Sequence, residues 1–167
     1  MSETVNTPTE VTGSTAPRIV VGVDGSEASL DAFRHAIQLA KALEHSLVAV
    51  TAWDYPTSMY DVYYPEPGWS PESDAVQILT DASQKVFGDL VPNWFSTAAH
   101  RGTPARVLLK ESETAEMLVV GSRGHGGFVG LMVGSVSTAC VGHAHCPVLV
   151  VHHRAHESGE PVMETAG

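Results

Sequence analysis

Met117-Leu-Val-Val120-Gly121-Ser-Arg-Gly124-His-Gly-Gly-Phe-Val-Gly-Leu-Met-Val-Gly134-Ser135 is followed, one helix-length later, by Pro147-Val-Leu-Val-Val151. Each short apolar run, bounded by glycine or proline, reads as a buried strand. The first empties into a glycine-dense loop, and a helix-compatible segment from Ser135 to about residue 144 precedes the second. A strand, a glycine loop and a helix in that order build a seat for phosphate. Glycine lets the main chain approach an anion closely, and the open N–H groups of a helix start add partial positive charge.

Working outward, the same alternation recurs. Ile19-Val-Val-Gly-Val23 reads as a first strand, followed by the turn Asp24-Gly-Ser26 and a helix over residues 27 to 43, with Ser26 as its cap. Phe33, Ala36, Ile37 and Ala40 make the apolar stripe of that helix. Residues 47 to 53 give a second strand. Residues 54 to 71 are rich in Tyr and Pro and lack a period, as functional or unstructured loops do. Ser70-Pro71 opens a second helix to about residue 91, with Val76, Leu79, Ala82, Val86 and Leu90 inward. Residues 93 to 100 form a third strand, and Gly102-Thr103-Pro104 opens a third helix to about residue 112. Five strands alternating with four helices specify an α/β three-layer sandwich around a parallel sheet. In such sheets ligands sit beyond the carboxyl ends of the strands, where the strand order reverses. Asp24 and the glycine loop both lie at that edge.

The chain has 167 residues, enough for one domain with a sizeable core. Its formal net charge is −10 with nine Lys plus Arg, which argues against nucleic acid and against an anionic membrane surface as partners. Cys140 and Cys146 make no disulfide framework, and the start lacks the features of a secretory signal. A cytoplasmic location with reduced thiols is the expectation. Residues 1–17 and 153–167 read as disordered tails around a domain at 18–152.

The glycine loop lacks the Gly-Lys pair of a Walker A motif, and it opens the fourth helix where the dinucleotide fingerprint opens the first. From spacing alone, a phosphate seat and a loop whose glycines only make turns are equally good readings. Asp24 could accept ribose hydroxyls or share a divalent cation with phosphates, or simply cap its own turn. Arg123 is the one cation quoted in the loop, either a phosphate partner or a solvated side chain. His143, His145, Cys146, His152 and His153 include zinc-ligand types, but at no spacing of a compact zinc site. Cys140 fits a small core residue better than a nucleophile. Phe128, Leu131, Met132 and Val133 make the loop centre apolar, suited to a dry cover or a docking surface.

Gly121-x2-Gly124-x9-Gly134-Ser135, with Val21-Gly-Val-Asp24-Gly-Ser26, Gly102-x-Pro104 and Cys146-Pro-Val-Leu-Val-Val151, resembles the universal stress protein family from Arg18 to His152. The resemblance implies a Rossmann-like fold of five parallel strands in the order 3-2-1-4-5 with four helices. It implies ATP, with Mg²⁺ as a candidate companion, as cofactor. Gly22, Val23 and Asp24 would meet adenine and ribose, and Ala52 would line the adenine pocket. Val120, Gly121, Arg123 and Gly124 would border ribose and phosphates. Gly134, Ser135, Val136 and Ser137 would hold the phosphates. It further implies a homodimer through the last strand, Val148 to Val151. Glu116 stands where relatives commonly carry Asp, at the far end of its strand. No general base is evident, so hydrolysis, if present, is expected to be slow. The competing expectations are a dimeric interaction module indifferent to nucleotide, and a binder of AMP or cAMP.

Overall fold

The computed structural model describes residues 16–55, 67–124 and 133–153. Within them the elements are β1 (Arg18–Gly22), α1 (Glu27–Leu43), β2 (Ser46–Trp53), α2 (Pro71–Phe87), β3 (Phe95–Arg101), α3 (Pro104–Ser112), β4 (Met117–Gly121), α4 (Ser135–His143) and β5 (Val148–Val151). The strands form one parallel sheet ordered β3-β2-β1-β4-β5, the order implied by the resemblance. Two halves wind outward from the centre, so β1 and β4 are parallel neighbours and the strand order reverses between them. That reversal opens a crevice at their carboxyl ends.

Burial explains why the central strands are unbroken apolar runs. Val20 of β1 and Val119 of β4 have no exposed surface, because helices cover both faces of the sheet. One face packs Ile19, Val21, Leu47 and Val119 against Phe33 and Ala36 of α1 and Leu79 and Ala82 of α2. The other packs Val20, Val50, Leu118 and Val120 against Val107 and Leu108 of α3 and Cys140 of α4. Phe33 is fully buried, with Phe95 and Phe87 ring centroids 5.4 and 5.8 Å away.

Two expectations for α2 fail. It stops at Phe87, where Gly88 takes φ 64° and turns its N–H back to the Gln84 carbonyl, so the helix ends before residue 91. Leu90 lies beyond that stop and is 86% exposed. Val76 is half exposed, and Ala75 is buried instead, because the inward stripe is carried by Ala75, Leu79 and Ala82. β3 begins at Phe95, later than its sequence suggests. Among the described residues it is an edge strand paired only with β2, and its Ser96, Thr97 and His100 are exposed, so it shows no long apolar run. Residues 56–66 of the Tyr- and Pro-rich segment fall outside the described residues, as do both tails apart from residues 16, 17 and 153.

Candidate functional site

The exit of β1 is a tight, self-satisfied turn. Gly25 sits at φ 83°, a left-handed conformation that favours glycine. Asp24 Oδ1 accepts from the Ser26 N–H at 2.9 Å and from the Ser26 hydroxyl at 2.5 Å. Ser26 Oγ in turn accepts from the Ser29 N–H at 3.2 Å and caps α1. The Ser29 hydroxyl donates to the Ser26 carbonyl at 2.9 Å and accepts from the Asp24 N–H at 3.3 Å.

The exit of β4 is arranged otherwise. The Ser122 N–H donates to the Val151 carbonyl at 2.8 Å, and the Gly134 N–H donates to the Ser122 carbonyl at 2.6 Å. The Ser137 hydroxyl donates to the Gly121 carbonyl at 2.6 Å. Gly134 is the N-cap of α4 and has no side chain with which to cap it. The first amide bonded back within the helix is that of Thr138, to the Gly134 carbonyl at 3.0 Å. The N–H groups of Ser135, Val136 and Ser137 therefore precede the helical ladder, and all three residues border the crevice.

The glycines here have steric causes that can be named. A Cβ on Gly121 would sit 2.8 Å from the carbonyl carbon and oxygen of Ala28, because the end of β4 packs directly on the first turn of α1. A Cβ on Gly124 would sit 2.6 Å from Asp24 Oδ2, so the carboxylate lies against the loop main chain. Gly134 is different: its nearest neighbour is the Ser122 carbonyl at 3.4 Å, ordinary contact.

Between the two exits lies a cavity of about 780 Å³. Gly22, Val23, Asp24, Ala52, Val120, Gly121, Arg123, Gly124, Gly134, Ser135, Val136 and Ser137 all border it. Among the described residues Asp24 is its one carboxylate, and Arg123, exposed at the rim, its one Lys or Arg. Ser137 is only 3% exposed and its hydroxyl is committed to Gly121, so its backbone N–H is the group it can offer an anion. Val133 also lines the cavity, whereas Phe128, Leu131 and Met132 lie outside the described residues.

Several lining residues escaped the sequence reading. Pro104 and Leu108 form the α3 wall, one helical turn apart, a spacing legible once Pro104 is placed. His143 lies two turns down α4 from Val136 on the same side. Thr51 is buried and its hydroxyl donates to the Val23 carbonyl at 2.7 Å, tying β2 to the β1 exit; no sequence pattern marks it.

The remaining candidates stand apart. Cys140 has no exposed surface, and burial pushes its thiol up to about 11, which makes it a core residue and a poor nucleophile. Burial also raises Cys146. His153 is exposed and its Nδ1 lies 2.6 Å from Asp31 Oδ2 on α1. That hydrogen bond, with help from Arg34, holds the Asp31 carboxyl below its ordinary value.

Comparison with known proteins gives consistent findings. Residues 16–152 match the profile described as the Universal stress protein family. A universal stress protein of Mycobacterium tuberculosis is 39% identical over 137 residues, covering 79% of this chain and 44% of the relative. One from Methanocaldococcus jannaschii is 30% identical over 139 residues, covering 80% of this chain and 81% of the relative. The chain thus spans under half the length of the mycobacterial relative. A solved universal stress protein in complex with cAMP is 27% identical with a TM-score of 0.59, covering 84% of this chain and all of that one.

Proposed function

The chain belongs to the universal stress protein family, and from that premise we propose that it binds ATP at the crevice between β1 and β4 and acts as a nucleotide-responsive regulator. The observation that carries this reading is the pairing, across one cavity, of an uncapped helix start with a carboxylate. The amides of Ser135, Val136 and Ser137 hold phosphate oxygens, each charge-assisted bond contributing about 1.5–3 kcal/mol. Asp24 takes ribose hydroxyls or shares a divalent cation with the phosphates. Val23, Ala52, Pro104 and Leu108 make the apolar slot for the base. Arg123 adds a counter-charge at the rim. Among the described residues the one carboxylate of the wall, Asp24, is bonded to Ser26, which suits a protein that holds and reports nucleotide with hydrolysis slow.

A homodimer through β5 completes the proposal. Among the described residues its outer edge pairs with no strand, and Val148, Leu149 and Val150 are only partly buried. A monomer by light scattering at micromolar concentration overturns this part.

Calorimetric titration of ATP is the test of binding. Gly134→Ser is a cleaner probe than any change at Gly121, where an added side chain strikes the α1 backbone. Saturable binding by wild type, weakened at least about fivefold in the variant by loss of open amides, supports the reading; equal binding by both, or none by wild type, defeats it. The cAMP complex of a relative supports a second reading, in which a cyclic or mono-phosphorylated adenine nucleotide occupies the same seat. Parallel titrations with ATP, AMP and cAMP, and mass spectrometry of ligand released from fresh protein, decide between them.

A further inference from the structure

A second cleft, of about 590 Å³, lies on the flank of α3 turned away from Pro104 and Leu108. Asp54, His100, Arg101, Arg106, Lys110 and Glu111 line it. The chain carries nine Lys plus Arg against a net charge of −10, and three of those nine are gathered here within ten residues. Three cations against the two carboxylates Asp54 and Glu111 leave the lining with a small positive excess.

Both carboxylates in the cleft wall are already paired. Asp54 Oδ1 lies 3.3 Å from Arg101 Nε. Glu111 sits between Arg18, 3.0 Å from Oε2, and His100, 3.2 Å from Oε1. Arg101 is further fixed by the rings of Tyr55 and Trp53, whose centroids lie 5.2 and 6.0 Å from its Cζ. Lys110 holds Glu113 at 2.8 Å through an exposed pair. Arg106 is the exception. It is exposed, and among the described residues its side chain makes no ion pair or hydrogen bond. A planar guanidinium with all its donors open, at a cleft whose carboxylates are spoken for, matches a bidentate oxyanion.

We propose that this cleft is a second ligand site that takes the phosphoryl or carboxylate group of a small anionic molecule, with Arg106 as the direct contact and the paired Arg101 and Lys110 bordering it. The site is independent of the nucleotide reading, because it shares no lining residue with the larger cavity.

The test is a titration of the full chain, at constant ionic strength, with inorganic phosphate in one arm and citrate in the other, followed by backbone amide resonances. Wild type should show saturable shifts at Gly102, Arg106 and Lys110, and Arg106→Glu should weaken them at least about tenfold, as loss of a charge-assisted pair requires. Arg106→Lys should retain part of the effect. Response to phosphate alone, citrate alone or both assigns the chemistry of the anion. Absence of saturable shifts at these residues in both arms overturns the proposal, as does an unchanged response in Arg106→Glu. Shifts confined to Gly124 and Ser135 also overturn it, since they report the other cavity.

Discussion

The exits of β1 and β4 are neighbours in the sheet, and a helix follows each in the chain, yet the two helix starts are finished oppositely. At the first, Asp24, Ser26 and Ser29 spend their hydrogen bonds on one another and on the start of α1. At the second, Gly134 leaves the start of α4 without a side-chain cap. A capped helix start is locally more stable, whereas a bare one keeps its donors for an anion. The first exit is therefore a braced turn that presents Asp24 to the cavity and the second an uncapped helix start, and the difference in capping lies in a serine against a glycine.

The comparison can be broken experimentally. The largest effect is expected from Gly121→Val, which drives a side chain into the Ala28 backbone and should cost about 2–3 kcal/mol of stability by overpacking; urea denaturation showing no loss would mean that α1 and β4 are not locked together there. Next, Gly124→Ala should be destabilising by about 1–2 kcal/mol in wild type but nearly neutral in an Asp24→Ala background, because the carboxylate is what occupies the Cβ position. Additive costs in that double-mutant cycle would separate the two residues. Ser26→Ala should cost about 1 kcal/mol through the lost cap. Gly134→Ser should do the reverse, raising stability without ligand by a few tenths of a kcal/mol as the new hydroxyl caps α4, while nucleotide affinity falls; thermal melts with and without ATP read both signs.

The smallest effect concerns pH. The His153 hydrogen bond depresses the folded-state pKa of Asp31 below the usual 3.8. The stability linked to that depression is present above the unfolded value near 3.8 and disappears as pH falls through it toward the folded value. Asp31→Asn should flatten this acid limb and change stability at neutral pH by less than about 1 kcal/mol, since the pair is partly exposed. An unaltered acid limb would assign it to other carboxylates.

Much of the fold was legible because the buried strands write themselves as apolar runs and Ser26, Ser70-Pro71 and Gly134-Ser135 punctuate the helices. What was not legible follows from geometry. Leu90 reads as helical stripe, but Gly88 stops the helix first. β3 hides because an edge strand needs no continuous apolar face. At the site, the polar residues at the two strand ends could be picked from their positions, while Pro104, Leu108 and His143 belong to helices whose angle to the sheet no spacing encodes. The glycines carried a mixed message. Gly121 is required by packing on α1, so its presence speaks of the fold; Gly134, with room for a side chain it lacks, speaks of the ligand.

The two hydrogen bonds from Gly134 N–H to the Ser122 carbonyl and from the Ser137 hydroxyl to the Gly121 carbonyl draw the two stems of the intervening segment together like a purse-string. Gly121, Ser122, Gly134 and Ser137 are thereby fixed relative to one another before any anion arrives, so the entropy of positioning the open amides is lost on folding and does not count against binding.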